Sequence, residues 1–379
     1  MPRVLVCAST VSHIQSFHLP YLRYFNEQGF EVHVAAQGDQ LPKELCITHS
    51  IDMSKRFFSV NNLRAANYFR RLIKTYRFDL ILTHTSLAAF LCRLALLFAG
   101  KKDTMVINTV HGYFFFKGCG FFKKAVYYLP ERFLAGVKDY IVTMNEEDTI
   151  AARGLHRPGG AVFRVPGMGV DESRFHPASA QEKKQARLNL SLPEDAFVLV
   201  YAAEFSGRKN HIELIRAMPE IIKSVPKAVL LLCGTGLTQE KIKAETARLG
   251  LNTFVRFLGF CRDIENIYKA CDMAVSVSQS EGLPFNIVEA QLCALAVAAS
   301  SIRGHTDLIE HGETGWLYPP GDRKALADII AGVFKSEDKG DKQRKAAVES
   351  AGHYTLKNAY PKNTACYRHV IRNSFSERN

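Results

Sequence analysis

Two glutamates eight positions apart stand where a strand, a tight turn and a helix are predicted in succession. Glu281 follows the apolar run 273–277, and Glu289 lies more than one turn into the helix that begins after Gly282 and Pro284. With this spacing the carboxylates do not share a proton, and each is suited to accept hydrogen bonds from sugar hydroxyl groups. The alternative is that Glu281 is an ordinary loop residue and Glu289 offsets the helix dipole.

The start of this helix, predicted over residues 285–294, indicates an anion site, because the first N–H groups of a helix lack partners within it. Two cations, Arg208 and Lys209, follow the apolar run 197–202. They are suited to phosphate oxygens, the arginine as a bidentate fork and the lysine as a point charge. Alone, such a pair is more often merely solvated. Gly234 opens a Gly-Thr-Gly turn after the next strand, where a backbone can approach a ligand closely.

Histidines follow two predicted strands in the first half of the chain. His111 comes directly after the run 104–110, where it either caps the strand end or contacts a ligand. His13 and His18 follow the first strand, and they either border a bound ligand or pack within a loop. Since ligands of open α/β sheets collect beyond the carboxyl ends of the strands, all three positions are candidates for a site.

The segment 112–128 interleaves aromatic residues with lysines and includes Tyr113. Rings and cations in this pattern can lie at the surface of an anionic bilayer, and the aromatics could also stack on sugar rings. The alternative is a buried aromatic helix with solvated lysines.

Short β-branched runs alternate with amphipathic helical stretches along the whole chain, which predicts βαβ units and parallel, doubly wound sheets. A segment rich in Pro and Gly near 165–171 divides the pattern into two Rossmann-like domains. We expect an N-terminal domain over 1–168 and a C-terminal domain over 169–355. Residues 356–379 form a helix and tail that could pack back on the first domain. The predicted strands are 3–8, 31–35, 79–83, 104–110, 139–143, 197–202, 228–233, 255–258, 273–277 and 296–299.

Length, charge and cysteines set limits on function. A chain of 379 residues fits two α/β domains, and its net charge of +12 favours an anionic partner unless it serves solubility alone. The nine cysteines are scattered without a C-x-x-C pair, which argues against disulfides and a zinc site and favours the cytoplasm. The longest apolar run, 87–99, is too short to span a membrane, and no N-terminal signal is visible. No D-x-D motif follows a strand, so we expect no required metal and no cofactor.

These features together resemble glycosyltransferase family 4, a retaining family with the two-domain GT-B fold. Its hallmark, two glutamates separated by seven residues, matches Glu281 and Glu289. The resemblance is strong over about 197–335 and weaker in the N-terminal half. Other parts of the chain that look like the family are the runs 259–264, 268–272 and 304–309 and the glycines Gly312 and Gly315.

The resemblance implies that 1–168 is the acceptor-side domain and 169–355 the nucleotide-sugar donor domain, and it implies roles for individual residues. Glu281 would contact the transferred sugar and Glu289 the ribose, and His111 would face the donor sugar across a cleft between the domains. Many members carry a basic residue where this chain has Glu204, so the phosphate role moves to Arg208, together with Lys209. The backbone groups that would cradle the diphosphate are those of Pro284, Phe285 and Asn286.

The implied substrates are a UDP-hexose or UDP-N-acetylhexosamine donor and a glycan or polyprenyl-linked acceptor, as in polysaccharide assembly. The enzymatic rival is a nucleotide-sugar epimerase of the same fold. A dinucleotide oxidoreductase is disfavoured, because no G-x-G-x-x-G follows the first strand. A basic nucleic-acid-binding protein is also disfavoured, because the charge is dispersed and the usual binding motifs are missing.

Overall fold

The computed structural model describes residues 1–54, 59–100, 104–135, 139–155 and 160–376. The chain divides into two compact units. Unit 1 comprises Met1–Gly169 and Asn358–Asn379, and unit 2 comprises Val170–Lys357.

Unit 1 is built on a seven-stranded parallel sheet. Its strands are β1 (Arg3–Thr10), β2 (Glu31–Gln37), β3 (Ile47–Ser50), β4 (Leu80–Thr83), β5 (Met105–Thr109), β6 (Asp139–Thr143) and β7 (Val162–Arg164). Its helices before residue 170 are α1 (Val11–Phe17), α2 (Leu19–Glu27), α3 (Val60–Tyr76), α4 (Ser86–Ala99), α5 (Phe121–Leu134) and α6 (Glu146–Leu155). The strand order is β3-β2-β1-β4-β5-β6-β7, so the chain reverses its direction of winding between β1 and β4.

Unit 2 repeats this architecture with six parallel strands in the order β10-β9-β8-β11-β12-β13. The strands are β8 (Phe197–Ala202), β9 (Ala228–Cys233), β10 (Val255–Gly259), β11 (Met273–Ser276), β12 (Ala296–Ser300) and β13 (Trp316–Tyr318). The helices are α7 (Ala180–Asn189), α8 (His211–Ser224), α9 (Gln239–Arg248), α10 (Ile264–Ala270), α11 (Phe285–Leu292), α12 (Arg323–Lys335) and α13 (Asp341–Ala351), followed by a 3₁₀ turn at Gly352–Tyr354. The winding reverses between β8 and β11, which is where ligands of such sheets bind.

The strands of both sheets are apolar because helices cover both of their faces. In unit 2 alternate residues of β8, Phe197, Leu199 and Tyr201, enter one core cluster with side chains such as Met218 of α8 and Ile330 of α12. The doubly wound α/β fold predicted from the alternating pattern is therefore confirmed.

The final helix, α14 (Leu356–Ser376), runs from the end of unit 2 into unit 1. There the Asn363 amide donates to the carbonyl of Gly167 at 2.8 Å, and the ring of Tyr360 stacks on Tyr21 with centroids 5.5 Å apart. These contacts fix the helix against α2.

Candidate active site

The reversal point of unit 2 brings two loops together, one after β8 and one after β11. The Gln279 N–H donates to the carbonyl of Arg208 at 2.9 Å. The buried Tyr201 hydroxyl donates to the carbonyl of Lys209 at 2.9 Å and lies 2.9 Å from the Ser278 Oγ. The two predicted cations and the predicted carboxylate Glu281 are thus held on adjoining strand ends.

Glu281 lies between both cations. Lys209 Nζ is 2.6 Å from one carboxylate oxygen, and Arg208 Nη1 is 2.6 Å from the other and 2.7 Å from the Ser280 carbonyl. Burial alone would raise the pKa of Glu281, but the charges of Lys209 and Arg208 outweigh it and lower the pKa to about 2. The carboxylate is therefore ionised at neutral pH, and the three side chains together carry one net positive charge.

Sequence reasoning missed Arg303, which follows β12, the strand next to β11. Its Nε donates to the Glu281 carbonyl at 2.9 Å. At Gly304, where φ is +84°, a Cβ would lie 2.9 Å from the Glu281 Cβ. The glycine therefore allows the loop after β12 to pack directly against Glu281. The position of Arg303 directly after a neighbouring strand was the signal that could have found it.

The glycine turn after β9 lies against the chain itself. A Cβ on Gly234 would come 2.1 Å from the carbonyl oxygen of Ala203, and one on Gly236 would come 2.4 Å from that of Phe205. The N–H of Phe205 donates to the Thr235 carbonyl at 3.0 Å. These glycines therefore permit close packing of two backbone segments beside the cations, and ligand binding by Gly234 stays a prediction.

Helix α11 starts one residue after Pro284, as the sequence predicted, and carries Glu289 on its second turn. Glu289 is half-buried, and its Oε2 accepts a hydrogen bond from the Tyr268 hydroxyl at 3.2 Å. Burial raises the pKa of Glu289 to about 7, against the opposing effects of Tyr268 and the Arg174 charge. The two glutamates of the motif therefore differ, because Glu281 has two cations in contact and Glu289 has none at hydrogen-bond distance in the described contacts.

In unit 1 the strand ends bring four imidazoles together: His13, His18, His84 and His111. Nδ1 of His84 lies 3.3 Å from Nε2 of His111, and the His84 ring lies 3.9 Å from that of His18 between centroids. The His13 centroid is 5.0 Å from that of His18 and 5.1 Å from that of His111. His13 lies in α1 and His18 at the junction of α1 and α2, a helical region that the sequence interpretation treated as loop. We call these residues the histidine cluster.

Burial dominates the electrostatics of the histidine cluster. It lowers the pKa of His111 to about 3 and that of His13 to about 4, and the neighbouring imidazoles add to the lowering in His18 and His84. All four rings are therefore neutral at pH 7 and can donate and accept hydrogen bonds or ligate a metal. His84 was missed, although it follows β4 as His111 follows β5.

Tyr113 lies in a small buried cluster, where its ring stacks on Phe115 with centroids 4.6 Å apart, and burial raises its pKa. Its contact with an acceptor stays a prediction.

The α5 helix is different, because its aromatic residues Phe121 and Phe122 are 89% and 83% exposed and Phe133 is 67% exposed. The alternative of a buried aromatic helix is wrong for these positions.

Comparisons with known proteins agree on one class. Residues 21–156 match the family model described as Glycosyltransferase Family 4, and residues 182–351 match the model described as Glycosyl transferases group 1. EpsD of Bacillus subtilis strain 168, named as a glycosyltransferase, is 35% identical over 91% of this chain and 92% of its own length.

Two further proteins are similar over most of this chain. An Escherichia coli UDP-Gal:α-D-GlcNAc-diphosphoundecaprenol α-1,3-galactosyltransferase is 28% identical over 72% of this chain and 71% of its own length. The crystal structure of HepE from Anabaena in complex with UDP-glucose superposes with a TM-score of 0.77 at 18% identity, covering 98% of this chain and 100% of that one. None of the helices in the described residues has the length and apolar character needed to cross a bilayer.

Proposed function

Because the chain belongs to glycosyltransferase family 4 and has the GT-B fold, we propose that it is a retaining hexosyltransferase that uses a UDP-sugar donor. The sugar is a hexose or an N-acetylhexosamine, and the acceptor is a glycan or a polyprenyl-linked sugar in the assembly of a capsule or exopolysaccharide. The observation that carries the proposal is the contact of Glu281 with both Arg208 and Lys209 at the reversal point of unit 2.

Unit 2 is the donor domain in this proposal. The diphosphate lies at the start of α11, against the backbone of Pro284, Phe285 and Asn286, because a helix start attracts anions. Glu281 accepts a hydrogen bond from the transferred sugar, and Glu289 accepts from the ribose hydroxyls. Gly234 belongs to the same donor site by its place at the adjoining strand end.

The main catalytic requirement of this reaction is to stabilise the leaving group. As the bond between the anomeric carbon and the phosphate oxygen breaks, the departing UDP gains negative charge. Arg208 and Lys209 neutralise that charge, since both already lie at this strand end and together carry more charge than Glu281 offsets. The acceptor hydroxyl oxygen forms the new bond to the anomeric carbon, and its proton passes to the oxygen of the departing UDP phosphate.

Unit 1 is the acceptor-side domain, and His111 is its proposed catalytic residue. A neutral imidazole can hydrogen-bond a hydroxyl of the donor sugar and orient its anomeric carbon. His13, His18 and Tyr113 are proposed to border the acceptor.

The relatives support the proposed substrates. The Escherichia coli relative is named for a UDP-galactose donor and a diphosphoundecaprenol-linked acceptor, and HepE was crystallised with UDP-glucose. The nine cysteines, all free, suit a reducing compartment, and we propose a cytoplasmic location.

We further propose that α5 docks peripherally on an anionic membrane. Five apolar side chains at helical spacing are exposed on it: Phe121, Phe122, Val126, Leu129 and Phe133. Exposed cations flank them at Lys117, Lys124 and Arg132, whereas the side chain of Lys123 lies outside the described residues. An apolar helix face with flanking cations binds anionic bilayers, and a lipid-linked acceptor would be presented at such a surface.

Co-sedimentation with vesicles tests this docking. Replacing Phe121 and Phe122 by Ser should abolish most binding to phosphatidylglycerol vesicles, and replacing Lys117, Lys123 and Lys124 by Gln should weaken it and reduce its salt sensitivity. The matched control replaces two exposed leucines of unit 2, Leu188 and Leu237, by Ser. Equal binding by all three variants would rule out docking through α5.

Nucleotide release tests the function itself. The protein is incubated with UDP-glucose, UDP-galactose, UDP-N-acetylglucosamine and GDP-mannose, with and without a polyprenyl-diphosphate-linked sugar. We expect UDP release that depends on the acceptor, and a product whose anomeric configuration matches the donor's in its NMR coupling. Conversion of the donor into its epimer without acceptor would instead support the epimerase, and an inverted product would refute the retaining mechanism.

A further inference from the structure

Three members of the histidine cluster bring one ring nitrogen each close together. The ligand atoms offered by His13, His18 and His111 all lie within 4.8 Å of one another. We propose that these three imidazoles bind a divalent transition-metal ion of the Zn²⁺ class. Three histidines with a fourth position open to water or another ligand form one of the coordination sets that such ions take in proteins.

The backbone that carries these ligands is well fixed. The Thr10 hydroxyl caps α1 by accepting from the His13 N–H at 3.3 Å. The His18 N–H donates to the Ile14 carbonyl at 2.8 Å, while the His18 carbonyl accepts from Leu22 at 3.0 Å. His111 directly follows the pairing of β5 with β6, where the Val110 N–H donates to Val142 at 2.8 Å. Ligands held on helices and strand ends are positioned more precisely than ligands held on loops.

A second observation points to a ligand. Nε2 of His13 and Nε2 of His18 are buried without a hydrogen-bond partner, and His18 is only 1% exposed. A buried polar nitrogen without a partner costs free energy, so native structures rarely leave one unsatisfied. An ion at the common point would give both nitrogens a partner at once.

The fourth member of the histidine cluster, His84, contacts two of the three proposed ligands. Its Nδ1 lies 3.3 Å from His111 Nε2, and its ring lies against that of His18. Partners of this kind orient metal-binding histidines and increase their affinity. His84 is therefore a positioning residue for His111.

The donor atoms select the kind of ion. All three are imidazole nitrogens, which suit Zn²⁺, Co²⁺, Ni²⁺ and Cu²⁺, whereas Mg²⁺ and Ca²⁺ prefer oxygen ligands. Because His111 is also the proposed catalytic residue, an ion bound here would withdraw it from the sugar. We therefore expect the ion to inhibit transfer, and this consequence alone rests on the proposed function.

Direct titration tests the site without reference to activity. The full chain, prepared without a histidine tag and stripped of metal by chelation, is titrated with Zn²⁺ by calorimetry and with Co²⁺ by visible absorption. One ion per chain should bind, and the Co²⁺ bands should have the intensity of a tetrahedral site. His13→Gln and His18→Gln should each weaken binding by at least about tenfold, and His84→Gln should weaken it less.

The matched control is His353→Gln, which removes an exposed histidine of unit 2 and should bind the ion as the unmodified protein does. Circular dichroism melting of the metal-free variants checks that each is folded, and His13, which is partly exposed, tolerates replacement best. Absence of saturable binding at one ion per chain, or equal affinity in the folded His13 and His18 variants, would overturn the site.

Inhibition is measured separately, as UDP release with and without a stoichiometric amount of Zn²⁺. Loss of transfer that a chelator restores, and that His13→Gln diminishes, is the expected result. Binding without inhibition would refute the inhibitory role while the site stands. Binding in a protein that transfers no sugar would refute the proposed function and leave the metal site intact.

Discussion

The two units share a strand order but carry opposite kinds of groups at the carboxyl ends of their central strands. In unit 2 the loops after β8 and β11 carry charges, with Glu281 between Lys209 and Arg208. In unit 1 the ends of β1, β4 and β5 lead to the neutral imidazoles of the histidine cluster. The same topology therefore places charged side chains at this end of the unit 2 sheet, the charged edge formed by Arg208, Lys209 and Glu281. In unit 1 it places uncharged, hydrogen-bonding imidazoles there, the neutral edge formed by the histidine cluster.

Burial explains why the two edges behave differently. Glu281 is 6% exposed but stays ionised because two cations contact it, which lowers its pKa to about 2. His111 has no carboxylate among its described contacts, so burial lowers its pKa to about 3 and it stays neutral. We infer that the charged edge serves the diphosphate and the neutral edge serves sugar hydroxyls.

The strongest test of this division removes a cation. Lys209→Ala should lower kcat by about 10²–10³-fold, because a positioned group loses its contact with the charge that develops on the leaving phosphate. Arg208→Ala should have a smaller effect, because water screens an exposed charge more strongly than a buried one, and Arg208 is 43% exposed whereas Lys209 is 13% exposed. Steady-state UDP release measures both.

Arg216→Ala is the matched control, since Arg216 also pairs with one carboxylate, Glu245 at 2.7 Å, and is 49% exposed. It should leave kcat unchanged. Wild-type turnover in both Lys209→Ala and Arg208→Ala would show that the diphosphate binds elsewhere and that the charged edge is a structural ion-pair network.

The next test concerns the neutral edge. His111→Ala should lower kcat by about a hundredfold, as for other positioned polar groups, while the Kd for UDP barely changes. His49→Ala is the matched control, because it removes another buried imidazole of unit 1 and should reduce stability more than kcat. A large loss of UDP affinity or of melting temperature in His111→Ala, with activity falling in proportion, would favour a structural role for His111.

A third test asks whether the Glu289 carboxylate belongs to the charged edge. Glu289→Ala should weaken UDP binding by about 1.5–3 kcal/mol at about pH 8, where the carboxylate is mostly ionised, because the ribose hydroxyls lose a charged acceptor. Glu281→Ala should lower kcat more than UDP affinity, since its contact is with the transferred sugar. Calorimetry with UDP and steady-state kinetics separate the two effects, with Glu349→Ala on the exposed face of α13 as control. Unchanged UDP affinity in Glu289→Ala would remove Glu289 from the donor site.

The pattern of the sequence predicted the central strands well but missed three of the four strands at the sheet edges. The fourth edge strand, β10, was predicted over 255–258 and spans Val255–Gly259. The bounds of β8 and β9 were predicted as they stand, because each is a continuous apolar run buried on both faces. The sheet-edge strands β3, β7 and β13 were missed. They have three or four residues each and are partly exposed, so their sequences lack the apolar signal of a buried strand.

The candidate site was also only partly predictable from the sequence, for a different physical reason. Position after a strand was enough to nominate His111, Arg208 and Glu281, since parallel topology gathers such positions at one edge. It could not predict that Glu281 would contact both cations, because side-chain pairing depends on the conformation of loops whose sequences are not periodic. His84 and Arg303 were missed although they lie one and three residues after the ends of β4 and β12, respectively.

The smallest expected effect concerns the pH dependence of stability, because burial makes the Glu289 carboxylate hard to ionise. Burial raises its pKa to about 7 from the ordinary value of 4.5, so the unfolded chain ionises Glu289 more readily than the folded one. Its contribution to stability is therefore fully present below about pH 4.5 and is lost as the pH rises through 7. Glu281 has the opposite sign, because its pKa of about 2 makes its contribution disappear as the pH falls towards that value. Between pH 5 and 8 the change in stability at this pair thus comes from Glu289.

Glu289→Gln should gain about 2–3 kcal/mol relative to the unmodified protein over this range, measured as urea unfolding free energies. Glu349→Gln, at an exposed helix position, should show no such trend. A difference between Glu289→Gln and the unmodified protein that stays constant from pH 5 to 8 would mean that Glu289 ionises normally and that the charged edge includes both carboxylates.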